Sequence, residues 1–255
     1  MKKIVLFLCV IGVATMMTSC LETNNSFNEP AFVYIAVAEN GVVYGRTSGF
    51  FAHLITSPQI QQGHITPPTT GSPIIIRPGY FFWMHYGWDE ANSFTALGER
   101  VYANNVTILG MTNKLEQADL FSWTAPEPDQ RLVGLEAPIF SDDPIYWSDN
   151  WVITYNFIGG GDIMPTLSFY KRDIPENNSN SSDITIDIDV RIEGIPQVAN
   201  PQPRVNWVIL NMADLRRELQ QENSRSVIVK FHFYQPDSDT PTSITAPRWT
   251  IGGTS

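Results

Sequence analysis

Between Ile184 and Ile192 the sequence alternates with period two. Ile184, Ile186, Ile188, Val190 and Ile192 are apolar, and Thr185, Asp187, Asp189 and Arg191 stand between them. Successive side chains of a strand point to opposite faces, so this pattern specifies a strand with one buried and one wet face. The acids on the wet face, with Asp183 and Glu193 beside them, read as a charged row that discourages edge-to-edge aggregation. Most of the chain carries the same kind of signal. Short apolar or aromatic runs at 31–38, 42–47, 50–56, 74–76, 80–86 and 99–109 are separated by turn pairs such as Asn40-Gly41 and Pro78-Gly79. These suggest a small barrel or sandwich. Runs at 120–123, 151–157, 167–171, 184–192, 205–210 and 227–234 follow, at a spacing that suggests an immunoglobulin-like sandwich. The one helix signal covers 211–221. Asn211 is placed to cap it, Asp214 lies in its first turn, and Leu215 and Leu219 share a face. The expected class is all-β with one short helix.

The N-terminus has a different logic. Lys2 and Lys3 precede an uncharged, mostly apolar run from Ile4 to Ala14, and Thr18 and Ser19 lead into Cys20. A membrane-spanning helix needs about 20 apolar residues, so the run is too short to span and reads as a secretory signal. The small residues before Cys20 are similar to the lipobox cut by the lipoprotein signal peptidase. Cys20 is then the expected lipidation site and the first residue of the mature chain. Each buried methylene of an acyl chain contributes about 0.8 kcal/mol, so two or more chains hold a protein on a membrane stably.

Cysteine and charge narrow the possible chemistry. The only cysteines are Cys9, inside the signal, and Cys20. The body therefore has no thiol for a disulfide, a metal site or a nucleophile. Without Lys2 and Lys3 the chain carries 14 basic against 26 acidic residues, a net charge of −12. A surface this acidic repels phosphate backbones, so nucleic acid is not an expected partner.

The densest chemical cluster is the aromatic run Tyr80 to Trp88 (YFFWMHYGW). In a strand, Phe81, Trp83 and His85 share one face, and Phe82, Met84 and Tyr86 share the other. One face belongs to a core, while the other is a core face or a stacking platform for sugar rings. Trp83, Tyr86 and Trp88 are the candidate binding residues, with Trp88 read as lying past the strand and exposed. Glu136, Asp142, Asp143 and Asp149 cluster near the middle of the chain; paired carboxylates can serve glycoside hydrolysis or calcium binding, but Asp143-Pro144 is an ordinary turn opener and the structural reading is preferred. His53, His64, His85 and His232 are scattered, and neither an HExxH nor a GxSxG motif occurs. The expectation is a protein that is not an enzyme and carries no metal or cofactor.

Residues Gly98 to Leu109 (GERVYANNVTIL) resemble the GxRVxxNYTIL stretch of NigD-like lipoproteins, with Asn105 where that family usually has Tyr. Asp143-Pro144-Ile145 followed by Trp151 resembles the family's entry to its C-terminal domain, and 205–219 resembles its end. The resemblance implies an N-terminal OB-like barrel and a C-terminal β-sandwich. The expected division is a signal peptide at 1–19, a tether at 20–30, an OB-like domain at 31–117 and a sandwich at 118–255. The expected function is that of a non-enzymatic, lipid-anchored protein of the outer membrane that works through protein–protein contacts, and the resemblance implies a bacteriocin-associated role. The alternative is a carbohydrate-binding lipoprotein that uses the Tyr80–Trp88 aromatics. The membrane, through the lipid, and an envelope protein or glycan are the expected partners.

Overall fold

The computed structural model describes residues 26–50, 52–66, 72–90, 93–96, 100–141, 147, 149–161, 164–173, 183–220 and 225–252. Cys20, Asp142, Asp143 and residues 97–99 and 174–182 lie outside them. The chain forms two compact units. The first takes in the chain up to Ile76 together with Trp83–Met111, and the second takes in Arg77–Phe82 and Thr112–Ser255.

The first unit is built from β1 (Ser26–Val37), β2 (Val43–Thr47), β3 (Leu54–Ile55), a short helix α1 (Pro58–Gln62), β4 (His64–Ile65), β5 (Ile74–Ile75), β6 (Phe81–Asp89), β7 (Ser93–Ala96), β8 (Arg100–Ala103) and β9 (Thr107–Met111). The expected hairpin at Asn40-Gly41 joins β1 to β2, with Val37 opposite Val43 and Gly41 at φ 81°. Helix α1 carries no signal strong enough to stand out inside a Gln- and Pro-rich loop. Its ends are nonetheless well specified: the Ser57 side chain accepts from the Gln59 amide, Pro58 opens the first turn, and Gly63 closes the helix in the left-handed region.

Seven of these strands form one sheet in the order β7-β8-β3-β2-β1-β6-β9. The sheet does not close on itself, so the expected barrel is corrected to an open sheet. One cause lies at Asn105. The 99–109 run reads as one strand, but Asn105 takes φ 53°, which asparagine tolerates better than most residues. The run is split there. Its first half, β8, pairs with β3 and β7, while its second half, β9, pairs with β6 at the far side of the sheet.

Glu29 organises the neighbouring segment. The residue reads as part of a polar tether, yet Ser26–Pro30 belong to β1 and Glu29 is only 5% exposed. Its carboxylate accepts from the Phe50 amide at 2.8 Å, the Ala52 amide at 3.0 Å and the Tyr86 hydroxyl at 2.9 Å. Thr47 completes the cluster: its hydroxyl donates to the Ala52 carbonyl, lies 3.1 Å from the Tyr86 hydroxyl and accepts from the Gly49 amide. The run 50–56 therefore yields only the two-residue β3, because the amides of Phe50 and Ala52 bond to Glu29 and not to a neighbouring strand. Gly49 is required by this geometry. A Cβ there would collide with the Glu29 carboxylate and lie 2.7 Å from the Tyr86 hydroxyl.

The second unit contains β10 (Glu116–Ala118), β11 (Leu120–Phe121), β12 (Gly134–Leu135), β13 (Asn150–Gly159), β14 (Thr166–Lys171), β15 (Asp183–Glu193), β16 (Gln202–Asn211), helix α2 (Ala213–Leu219), β17 (Arg225–Phe233), β18 (Thr242–Thr245) and β19 (Trp249–Ile251). It is the expected sandwich. One sheet runs β10-β16-β13-β12; the other runs β11-β14-β15-β17-β18, with β19 also on β17. Three pairings, β10 with β16, β11 with β14 and β15 with β17, are parallel, an addition to the antiparallel pattern of an immunoglobulin-like sandwich.

The period-two strand is β15, and all five of its apolar residues are at most 2% exposed. They share one core with Trp151, Tyr155 and Phe157 of β13, Val208 and Leu210 of β16, and Leu215 and Leu219 of α2. Trp151 is central to it. Phe140 stacks on its ring at 4.1 Å and Trp249 meets it edge-on at 5.1 Å.

Two substitutions test these cores. Trp151→Ala removes a fully buried ring and should lower the unfolding free energy by about 3–5 kcal/mol, read by urea titration. Tyr86→Phe takes one donor from a buried carboxylate and should cost about 1–3 kcal/mol. Burial is the main reason the Tyr86 phenol titrates well above its usual 10.0; the Thr47 hydrogen bond opposes it, and the charge and hydrogen bond of Glu29 add to it. The fold therefore favours the neutral phenol. That stability is fully present below pH 10 and falls as the pH rises beyond it, because only the unfolded chain ionises there. The Tyr86→Phe protein should lose less stability than the parent between neutral pH and pH values above 10, whereas equal alkaline losses would contradict this assignment.

Candidate functional site

Strand β6 carries the three aromatic residues expected to form a platform. It extends to Asp89, so Trp88 lies inside the strand and not beyond it. Phe82, Met84, Tyr86 and Trp88 form its buried face, with Tyr86 at 0% and Trp88 at 5% exposure. Trp88 is stacked on Phe27 at 5.4 Å. Tyr86 and Trp88 are therefore core residues, contrary to the binding role expected of them. Trp83 is on the opposite face, half-buried, with its ring tilted against Phe32 at 4.7 Å. His85 on that face is exposed, 3.5 Å from the Asn28 side chain. The run is aromatic at nearly every position, so its periodicity alone does not separate the buried rings from the others.

The second unit presents a different surface. The residues between the apolar positions of β15 do not form a free acid row at a sheet edge, as the sequence suggests, because β15 lies between β14 and β17. Cross-strand register places Phe121, Tyr170, Asp189, His232 and Ser243 in one row across five strands. The acids in and beside this row are paired. Arg172 donates to both carboxylate oxygens of Asp189 at 2.8 Å each, and Asp187 meets the His232 ring at 2.6 Å. Burial opposes ionisation of Asp189. The Arg172 hydrogen bond and the charges of Arg172, Arg191 and His232 outweigh it and hold the carboxyl below its usual range. The pairing with Asp189 raises Arg172 in turn, against a smaller opposing effect of burial.

Part of this face is covered. The Pro126 carbonyl accepts from Arg191, whose guanidinium also lies over the Tyr234 ring at 5.3 Å, so Arg191 is buried. Just before Pro126, the chain turns Trp123 outward, 60% exposed. Phe121 lies 4.3 Å from the Trp123 ring, and Tyr170 meets it edge-on at 6.3 Å. Ser122 to Ala125, Tyr170 to Asp173 and Asp189 together line a groove of about 390 Å³. Sequence reasoning missed it: 120–123 reads as an ordinary strand, and nothing in Leu-Phe-Ser-Trp indicates that β11 ends at Phe121 and frees the tryptophan.

The remaining candidates are dispersed or occupied. Glu136 is exposed. Asp149 is paired with Arg216, whose guanidinium also covers Trp249 at 4.9 Å. Among the described residues, no group of three or more His, Cys, Asp or Glu side chains is placed to hold a metal ion.

No protein-family model and no curated protein matches this sequence. Solved structures do match it in shape. An uncharacterized protein from Parabacteroides merdae, 12% identical, superposes with a TM-score of 0.55 over 88% of this chain and 98% of its own. A protein named "Putative lipoprotein" from Bacteroides fragilis, 8% identical, gives 0.50 over 90% and 100%. A NigD-like immunity protein from Bacteroides caccae, 13% identical, gives 0.49 over 86% and 91%. In fold the chain stands with the Parabacteroides merdae and Bacteroides fragilis proteins.

Proposed function

We propose that this chain is a lipid-anchored protein of the bacterial outer membrane that acts by binding a protein partner and not by catalysis. The export signal that ends in Thr18-Ser19-Cys20 carries the reading. The fold shared with the Bacteroides fragilis protein supports it. The resemblance to NigD-like lipoproteins adds a role connected with bacteriocins. No helix of the described residues is long and apolar enough to cross a membrane. Attachment through acyl chains on Cys20 needs none, since the lipid supplies the apolar surface.

The polar clusters support binding over chemistry. Glu29, Asp149 and Asp189 are among the carboxylates held by partners within the fold. Glu29 is held by two amides and a phenol, Asp149 by Arg216 and Asp189 by Arg172. A general acid or base must be free to exchange its proton with substrate, and these carboxylates are engaged within the fold. The burial of Tyr86 and Trp88 also removes the aromatic platform on which the carbohydrate alternative was first placed.

The anchor and the partner are tested together. The parent protein should fractionate with membranes, and a Cys20→Ala protein should be exported and found in the soluble fraction. Crosslinking of the parent in native cells, followed by mass spectrometry, should recover one recurrent envelope protein. Membrane partitioning of Cys20→Ala equal to the parent would overturn the anchor, and recovery of polysaccharide without a recurrent protein would overturn the protein-partner reading.

A further inference from the structure

We propose that the groove beside Trp123 is a binding site for a neutral oligosaccharide. This goes beyond the anchored, protein-binding role above and stands independently of it. Trp is on average one of the more deeply buried residue types. Trp123 is nevertheless 60% exposed and is also supported: Phe121 packs against one face of its ring at 4.3 Å, leaving the other face open, and Tyr170 braces it edge-on. The result is a flat, electron-rich ring face held toward solvent. The C–H faces of a pyranose are weakly positive and apolar, which suits such a ring.

The groove supplies the polar half of the recognition. At about 390 Å³ it falls in the range of about 300–1,000 Å³ usual for small-ligand sites. Arg172 uses Nε and Nη2 on Asp189, so the planar pair is fixed in place. Its remaining N–H groups, on Nη1 and Nη2, and the remaining lone pairs of Asp189 are available to hydroxyl groups, which donate and accept at once. The charged residues of the lining balance, with Lys171 and Arg172 against Asp173 and Asp189. Glu218, outside the lining, pairs with Lys171 at 2.5 Å, so the groove carries no excess of positive charge to draw an anion. A charge-balanced lining gives an anion or a cation no net attraction, whereas a neutral polyhydroxylated ligand can use both signs. An apolar peptide would strand the Arg172–Asp189 pair without partners, at a desolvation cost.

Calorimetric titration of the full chain, in a detergent without a sugar headgroup, tests the proposal. The probes are maltohexaose, cellohexaose, xylohexaose and mannohexaose, with hexagalacturonate as the anionic contrast. At least one neutral probe should bind with a dissociation constant of about 1 mM or tighter. Trp123→Ala, with an unchanged melting temperature, should weaken that binding by about tenfold or more, and Trp123→Phe should restore part of it. A second readout does not depend on a variant folding: the bound neutral sugar should protect Trp123 from oxidation by N-bromosuccinimide, followed by peptide mass spectrometry. The proposal is overturned if no neutral probe binds, if hexagalacturonate alone binds, if Trp123→Ala binds as well as the parent, or if the sugar leaves the oxidation of Trp123 unchanged.

Discussion

A carboxylate taken out of water must be surrounded by donors or it destabilises the fold that buries it. Glu29 meets this condition with two backbone amides and the Tyr86 phenol, and the requirement shapes much of the first unit. It ties β1 to β6 and draws the segment after β2 away from strand pairing. It also leaves room at position 49 for glycine alone. The same cluster explains why the aromatic strand turns Tyr86 inward, since the phenol is one of the donors.

The second unit solves the same problem across a surface. Its central strand alternates apolar and polar residues, which settles one face as core. The polar face is not simply wet. Arg172, just past β14, and Arg191, within β15, pair with Asp189, His232 of β17 meets Asp187, and the Pro126 carbonyl accepts from Arg191. Ion pairs at a surface contribute little to stability, typically about 0–1 kcal/mol. Their effect here is to fix the directions of donors and acceptors around Trp123, so that a ligand would meet groups already in position.

Much of the fold is legible in the residues. The Ile184–Ile192 alternation, the Asn40-Gly41 turn and the Leu215/Leu219 face each act within a few residues, so local pattern suffices to find β15, the β1–β2 hairpin and α2. What escaped depends on distant partners. Glu29 reads as a tether residue because its donors lie 21, 23 and 57 residues away. Asn105 gives no hint in composition that it breaks a strand. Trp88 and Trp123 exchange their expected roles for the same reason: burial is decided by what packs across a sheet, and an aromatic residue suits either side of that decision. The lipid anchor expected at Cys20 is read from a linear signal and lies outside the described residues.

The parallel pairing of β15 with β17 has a consequence for how the chain acquires its structure. Parallel neighbours cannot be joined by a tight turn, and here β16 and α2 intervene before β17 is reached. A chain made or threaded from its N-terminus therefore holds the five-residue apolar row of β15 without its β17 neighbour until β16, α2 and β17 have all emerged. Contacts between distant segments form slowly, and an unpaired apolar strand adheres to other chains meanwhile. Strands β17 to β19, from Arg225 to Ile251, thus act as the closing piece of the sandwich. A chain stopped before them would present a long sticky strand, and the acidic character of the whole sequence is suited to keeping such incomplete copies apart.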